Sequence, residues 1–339
     1  MIVFYKYHNF GGVSFSEKIL LLAISFVCAV FLYAFVEKPF RSKWSVKSEK
    51  PSIVALSCIF PIFLLSTPAA LAFVNKGWEW RVPTVLRDVL ADSRQAKIAS
   101  INATKLTCSL DEGAKPVEWW GKCLSEKLNA KEGYLVIGDS HGRDTWQALR
   151  LAYPDENIQM LYQSSCLPFE YSRPGRSDCF HGIKTFIKDY LPGLKVKGVF
   201  LSSHFATNMD SQVESTVRAV RDAGIPVALF GPTIKFKEHV PKIVLNHGRI
   251  SGLVDRVNDL QIEGIYGKQE VMRALAKSLE VPFLSKLEIL CPDRVCLVII
   301  PSESALLSFD DAHWTPKAQQ FVANGIKYKH PKIGMVFKM

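Results

Sequence analysis

Two long apolar runs without a charged residue lie close together near the start of this sequence, at 19–36 and 53–74. The first has about 18 residues and would measure about 27 Å as an α-helix, enough to cross the hydrocarbon of a membrane. The second contains Pro61 and Pro68, which kink soluble helices but are tolerated in membrane spans. Neither run has the flanking pattern of a cleaved signal peptide. We predict two transmembrane helices within a membrane region at 1–75; two buried helices of a soluble core are the alternative.

The segment that joins the two runs, 37–52, indicates how they are oriented. It carries five basic residues against two acidic ones, and basic loops stay in the cytoplasm. The chain that follows the second run is then expected outside the cytoplasm. A competing signal comes from three basic residues just after that run, Lys76, Arg81 and Arg87.

Six of the eight cysteines lie outside the apolar runs. An even number of cysteines in a region placed outside the cytoplasm favours disulfide bonds. Six cysteines allow 15 pairings, of which pairing of sequence neighbours is one: Cys108 with Cys123, Cys166 with Cys179, and Cys291 with Cys296. A zinc site is the rival interpretation, but the sequence has no CxxC and no histidine at ligand spacing. We therefore predict disulfides and no metal.

From Tyr134 onward, short apolar runs alternate with helical stretches, which is typical of a parallel sheet covered by helices on both faces. The strands are predicted at 134–138, 158–162, 196–203, 225–231 and 281–285. The helices are predicted at 143–151, 180–190, 212–223, 269–279 and 316–326. This pattern predicts an α/β domain at 134–328, after a lead-in at 76–133 and before a tail at 329–339.

A candidate nucleophile, Ser140, follows the first predicted strand of that domain in the sequence Gly138-Asp139-Ser140-His141. A serine at a sharp turn between a strand and a helix is exposed at the edge of a sheet, and the helix N-terminus behind it offers unpaired N–H groups. Gly138 suits the tight turn. The alternative is a purely structural helix cap formed by Ser140, with Asp139 as a second capping acceptor.

A candidate base, His313, lies far along the chain, just before a predicted helix that starts at Pro316. A serine hydroxyl needs a base within hydrogen-bonding reach, and histidine titrates near neutral pH. Asp310, three residues earlier, could hold the other ring nitrogen of the imidazole, with Asp311 as the second candidate. A capping aspartate beside a surface histidine is the alternative.

Gly138-Asp139-Ser140 and Asp310 with His313, at the two ends of an α/β domain, resemble the SGNH hydrolase and acyltransferase superfamily. The resemblance implies a flavodoxin-like SGNH fold with Ser140 as nucleophile, His313 as base, Asp310 as its orienting partner and the N–H of Ser140 as an oxyanion donor. The family adds oxyanion donors after its second and third strands, from a glycine and from the asparagine of GxND. This sequence has no GxND. Ser165 and His204 occupy those places and are the candidate donors, with an ordinary strand-end histidine as the alternative for His204.

The segment Phe35–Arg41, FVEKPFR, directly after the first apolar run, resembles the end of the last helix of an acyltransferase-3 membrane domain. Such domains are fused in bacteria to SGNH domains that modify lipopolysaccharide O-antigen and related glycans. The resemblance implies a chain in the inner membrane with its C-terminal domain in the periplasm, a glycan acceptor and no cofactor. Nearly all of the acyltransferase-3 domain, which would deliver the acyl donor, is missing from this sequence.

Three functions remain open at this point. The first is transfer of an acyl group, most simply acetyl, from Ser140 to a hydroxyl of a cell-surface polysaccharide or lipopolysaccharide. The second is a carbohydrate or lipid esterase with the same triad, and the third is an inactive remnant or a glycan-binding module. The net charge of +10 suits an anionic partner. No nucleic-acid partner is expected, because the basic residues form no cluster with aromatic ones.

Overall fold

The computed structural model describes residues 5, 14–38, 63, 66–75, 84–109, 117–163, 182–204, 210–247, 260–300 and 305–338. The chain divides into two compact units, Met1–Arg87 and Asp88–Met339. The chemistry-bearing residues singled out above all belong to the second unit.

The first unit contains helix α1, Phe15–Leu32, which continues into a π turn at Tyr33–Glu37. Ser14 and Glu17 form a capping box at its start. Among the described residues, 15–35 is the one helical stretch long and apolar enough to cross a membrane. The second predicted span, 53–74, lies largely outside the described residues, which include only 63 and 66–74 of it, all helical. Two transmembrane helices are therefore not confirmed.

The second unit is built on a six-stranded parallel sheet in the order β1-β3-β2-β4-β5-β6. Its strands are β1 Cys108–Ser109, β2 Gly133–Gly138, β3 Ile158–Tyr162, β4 Val196–Leu201, β5 Val227–Phe230 and β6 Phe283–Leu284. A small antiparallel pair, β7 Ile299–Ile300 and β8 Ala305–Leu306, lies apart from this sheet. The parallel α/β sheet predicted from the sequence is confirmed.

The helices of this part of the chain are α2 Thr84–Thr104, α3 Val117–Ala130, α4 Ser140–Ala152, α5 Asp210–Asp222, α6 Val240–His247, α7 Ile265–Ser278, α8 Leu287–Leu290 and α9 Pro316–Lys329. A helical segment at 182–190 ends in a π turn, and a 3₁₀ turn at Ile333–Lys338 follows α9. The longest of these helices, α2, has 21 residues and lies in the predicted lead-in.

Helices cover both faces of the sheet because the strands are apolar on both sides. Leu135 and Ile137 of β2 belong to a core formed with α3, the segment 182–190, α5 and α7. The opposite face of the sheet packs against α4, which in turn packs against α9. There Tyr134 stacks on Phe337 with ring centroids 5.8 Å apart. Burial on both faces explains why β2 reads as an uninterrupted apolar run.

The predicted domain boundary at 134 falls inside this sheet. β1 pairs with β3, and α3 contributes Trp120, Leu124 and Leu128 to the core. The Cys108–Cys123 disulfide joins β1 to α3 across a sequence separation of 15, a loop whose closure contributes about 3 kcal/mol. Part of the predicted lead-in therefore belongs to the α/β domain, which begins no later than β1.

Two of the three neighbouring cysteine pairs are disulfides in the structure, Cys108–Cys123 and Cys291–Cys296. Cys166 and Cys179 lie outside the described residues. Cys28 in α1 is an exposed free thiol.

The connections after β2 and β4 leave the sheet on opposite faces, since α4 covers one face and α5 the other. In open α/β sheets, ligands bind in the crevice that this reversal creates beyond the carboxyl ends of the strands. Gly138 ends β2, and Ser202 follows β4. The topology thus places Ser140 at the edge where a site is expected.

Candidate active site

The turn after β2 holds Ser140 at the first position of α4. Asp139 is the helix cap: its Oδ1 accepts hydrogen bonds from the N–H groups of His141, at 2.9 Å, and Gly142, at 3.3 Å. Asp139 therefore takes the capping role that the alternative interpretation offered to either residue, which leaves the Ser140 hydroxyl for other contacts. Within the described part of the chain, the N–H of Ser140 has no hydrogen-bond acceptor.

Ser140, His313 and Asp310 form one continuous line of hydrogen bonds. The Ser140 Oγ lies 2.8 Å from the Nε2 of His313, and the Nδ1 of His313 lies 2.6 Å from the Oδ2 of Asp310. The charged carboxylate can only accept, so the Nδ1 carries the proton and the Nε2 is left to accept from the serine. This arrangement can remove a proton from the hydroxyl as the hydroxyl attacks a carbonyl carbon.

The loop before α9 explains how Asp310 is held. Its Oδ1 accepts from the N–H groups of Ala312, at 2.9 Å, and His313, at 2.7 Å, so the carboxylate is fixed by its own loop. Asp311, the second candidate, instead forms an ion pair with Lys235 at 3.1 Å. The geometry therefore favours Asp310 over Asp311 as the partner of the imidazole.

The pKa values of His313 and Asp310 are both shifted in the direction that stabilises a protonated His313 beside an ionised Asp310. Burial lowers the pKa of His313, but the hydrogen bond to Asp310 and the charges of Asp144 and Asp310 outweigh it and raise the pKa above its ordinary value. Burial alone would raise the pKa of Asp310, yet its hydrogen bonds to His313 and to the loop hold that pKa below its ordinary value. Asp310 is thus ionised whenever His313 accepts a proton.

A layer of buried polar side chains lies beneath the nucleophile turn. Asp139 accepts a third hydrogen bond on Oδ2, from the N–H of His204 at 2.9 Å. Lys286, only 1% exposed, donates from Nζ to the Ser202 Oγ at 3.3 Å, and that hydroxyl is 2.8 Å from the Thr145 Oγ1. Burial lowers the pKa of Lys286 to about 8, opposed by the charges of Asp139 and Asp144. The ammonium group is the counterion of these buried carboxyls.

Asp144 connects the helix that carries Ser140 to the loop that carries His313. It lies on α4, one turn after Ser140, and its Oδ2 accepts from the N–H of Trp314, the residue after His313, at 3.0 Å. Its side chain is buried, and burial raises the pKa of its carboxyl. This contact between α4 and the His313 loop helps to set the distance between the two halves of the site.

His204 lies beside the nucleophile turn, where its N–H binds Asp139 and its ring stacks on His141 with centroids 5.1 Å apart. Its role as an oxyanion donor stays a prediction. Ser165, the other candidate donor, lies outside the described residues. Among the residues that the structure describes, no group of three His, Cys, Asp or Glu side chains could hold a metal ion.

Three residues of this site had no role in the sequence analysis: His141, Asp144 and Lys286. His141 was visible as the last letter of the GDSH motif, and Asp144 lies four residues after Ser140 on the same helix face. Either could have been flagged by its spacing from the nucleophile. Lys286 had no such signal, because a lysine after a strand is ordinarily a solvated residue.

A family model described as the SGNH domain fused to AT3 domains matches residues 107–327. This chain belongs to that SGNH family. The match begins one residue before β1 and ends within α9, so the SGNH domain includes the edge strand and both halves of the site.

Solved structures are similar to this SGNH domain at low sequence identity, and the first of them, with a TM-score above 0.5, shares its fold. The periplasmic domain of the lipopolysaccharide acetyltransferase of Salmonella ser. Paratyphi A aligns over 73% of this chain and 99% of its own, with 14% identity and a TM-score of 0.57. A GDSL-like lipase of Bacteroides thetaiotaomicron aligns over 62% and 92%, with 11% identity and a TM-score of 0.38. The catalytic domain of Streptococcus pneumoniae peptidoglycan O-acetyltransferase A aligns over 58% and 91%, with 15% identity and a TM-score of 0.31. No curated protein matches the sequence significantly.

Proposed function

We propose that this chain transfers an acyl group, most simply acetyl, to a hydroxyl of a cell-surface polysaccharide or lipopolysaccharide through an ester on Ser140. The observation that carries the proposal is the hydrogen-bonded line from the Ser140 Oγ through His313 to Asp310. Membership of a family whose SGNH domains are fused to AT3 domains supports acyl transfer in particular. The intact line of contacts speaks against an inactive remnant.

In the first half of the reaction, the Ser140 Oγ attacks the carbonyl carbon of an acyl donor while its proton passes to the Nε2 of His313. The negative charge that develops on the carbonyl oxygen needs N–H donors, and the N–H of Ser140 at the start of α4, which has no acceptor among the described residues, is the first of them. The bond to the leaving group then breaks, and that group departs with the proton held by His313. The acyl group remains as an ester on Ser140.

In the second half, His313 takes the proton of an acceptor hydroxyl, whose oxygen attacks the ester carbonyl. The bond to the Ser140 oxygen breaks, the proton returns to that oxygen, and the acylated acceptor leaves. Water in place of the acceptor would make the same chain an esterase. The two activities share the acyl-enzyme and differ only in the molecule that receives the acyl group.

We propose that the SGNH domain works in the periplasm, held at the inner membrane by helix α1, and receives acyl groups from an acyltransferase-3 membrane domain. The apolar length of α1 supports a membrane anchor. The Cys108–Cys123 and Cys291–Cys296 disulfides support an oxidising compartment. No cofactor takes part in the proposed triad chemistry.

The test is to trap the acyl group on the protein. The full chain, purified in detergent, is incubated with p-nitrophenyl acetate, quenched in acid and digested for mass spectrometry. We expect an added acetyl group on the peptide that contains Ser140, and no such label in Ser140→Ala. Adding glycan acceptors should then shorten the lifetime of the label and yield acetylated sugar, whereas an esterase would yield only acetate.

The matched control is Ser278→Ala, because Ser278 is an exposed serine whose hydroxyl bonds only to a carbonyl of its own helix. It should label as the unaltered chain does. An unlabelled Ser140 in a protein whose disulfides are intact, with equal hydrolysis by Ser140→Ala, would overturn the proposal.

The rate should depend on pH through His313. Only the neutral imidazole can accept the serine proton, so kcat/KM should rise with pH through the pKa of His313. That pKa lies above the ordinary value of about 6.5. We therefore expect the rising limb of the profile to have its midpoint above pH 6.5, measured with p-nitrophenyl acetate between about pH 5 and pH 9. A midpoint below that value would show that Asp310 and Asp144 do not stabilise the imidazolium.

A further inference from the structure

The proposed base lies within a column of four aromatic rings. Phe309 stacks on His313, with centroids 5.8 Å apart and planes inclined by 16°. His141 lies against His313 at 4.8 Å and 17°, and His204 continues the column beyond His141 at 5.1 Å and 30°. The imidazole of the base thus has nearly parallel ring neighbours in both Phe309 and His141.

The hydrogen bonds of the triad do not by themselves hold the plane of this ring. Both bonds of His313, to Ser140 and to Asp310, leave from nitrogen atoms at opposite sides of the imidazole. The ring can still rock about the line that joins the two nitrogens, and such rocking turns the Nε2 lone pair away from the serine. Flat neighbours on the faces of the ring oppose this motion, because it would bring ring atoms into contact with them.

The surroundings of His141 keep its side chain uncharged beside His313. Its side chain is 7% exposed, and its Nδ1 is buried without a hydrogen-bond partner among the described residues. Burial, together with the nearby groups His313, His204, Lys286 and Lys235, lowers its pKa well below the ordinary value. A charged His141 would repel the imidazolium that forms 4.8 Å away, whereas a neutral aromatic face attracts a cation.

We propose that His141 is a positioning residue for the proposed reaction: its uncharged ring fixes the plane of His313 and stabilises the imidazolium formed when His313 takes the proton of Ser140. The proposal rests on the function proposed above. It gives the residue after Ser140 a role that acts through His313, since the rings of His141 and His313 are in contact and the buried Nδ1 of His141 has no hydrogen-bond partner among the described residues.

The test compares two apolar replacements that differ in whether they carry a ring. His141→Phe keeps a flat aromatic face, and His141→Leu fills the site without one. With the full chain in detergent and p-nitrophenyl acetate, we expect His141→Leu to lower kcat about tenfold with KM within about twofold. Its pH profile should shift to lower pH, because the imidazolium loses its neighbour. His141→Phe should keep kcat within about threefold and retain the original profile.

His330→Leu is the matched control for a histidine-to-leucine change, because His330 lies at the end of α9 and its side chain has no part in the ring column. It should leave kcat unchanged. If His141→Leu fails to fold, Phe309→Leu, at a half-buried position, removes the other ring that stacks on His313 and should produce the same loss and the same shift.

Equal kcat and equal pH profiles for His141→Leu and His141→Phe would overturn the proposal and leave His141 as a residue that only fills space. A separate measurement distinguishes this failure from a failure of the proposed function. NMR titration of isotope-labelled histidines reads the pKa of His313 without any turnover, and it should fall in His141→Leu but not in His141→Phe. Absence of label on Ser140 with this NMR shift present would refute the acyl-enzyme and leave the ring contact established.

Discussion

Asp310→Asn is expected to lower kcat about 10³- to 10⁴-fold with p-nitrophenyl acetate, while KM changes little. The amide group retains the size of the carboxylate but loses its charge, so it no longer stabilises the imidazolium. It also presents an N–H₂ group that can face the Nδ1 of His313 and favour the wrong tautomer, in which the Nε2 carries the proton and cannot accept one from Ser140. The backbone N–H groups of Ala312 and His313 require an acceptor, so they keep the amide oxygen on their side and direct the N–H₂ group toward Nδ1.

The neighbouring residue supplies a matched control. Asp311→Asn removes the same charge from the same loop, but it breaks only the half-exposed ion pair with Lys235. Ion pairs of this kind are worth about 0–1 kcal/mol, so kcat should stay within about threefold of the original. Similar losses in the two variants would show that the charge of the loop matters and that the hydrogen bond to His313 does not. A larger loss in Asp311→Asn would make that residue the partner of the base.

Gly138→Ala is expected to destabilise the domain by more than about 4 kcal/mol, a range that single substitutions seldom reach. A Cβ atom at position 138 would lie 1.8 Å from the carbonyl oxygen of Ser202, and one at Gly142 would lie 2.3 Å from the same oxygen. That oxygen belongs to backbone just after β4, so no change of side-chain rotamer can relieve the contact. The carboxyl ends of β2 and β4 would have to separate at the place where Ser140 is held.

Denaturant or thermal unfolding of the full chain in detergent measures this effect. Gly267→Ala, at an exposed position of α7 where a Cβ would meet nothing within 4 Å, is the control. It should stabilise the domain by about 0.5–1 kcal/mol, because alanine favours helix over glycine. If Gly138→Ala has the same unfolding midpoint as the unaltered chain, the two strand ends are free to move apart.

The triad was accessible from sequence because each of its parts has a local signal. The apolar run 134–138 marks a buried strand, and Ser140 follows it at the start of a helix. Thr315 and Pro316 mark the start of another helix, so His313 was expected in a loop at an element boundary. The two signals were joined through their resemblance to the SGNH pattern, because β8, the strand that precedes His313, lies apart from the parallel sheet.

Other parts of the site could not be derived in the same way. β1 is two residues long, too short for any periodicity to show, so its place in the sheet depends on pairing with β3 and on the disulfide to α3. Lys286 is buried only because Asp139 and Asp144 lie nearby, and such long-range compensation leaves no pattern in the sequence around it. The ring column, likewise, joins residues from three separate parts of the chain: the start of α4, the segment after β4 and the loop before α9.

The nucleophile and the base are 173 residues apart in the chain and meet only when α9 has packed against α4. A ribosome makes the chain from its N-terminus, so Ser140 is synthesised long before His313. During that interval the serine is an ordinary alcohol, because a hydroxyl without a base is a weak nucleophile. Under the proposed function, a growing chain therefore does not acylate itself, and Ser140 becomes reactive only once α9 is in place.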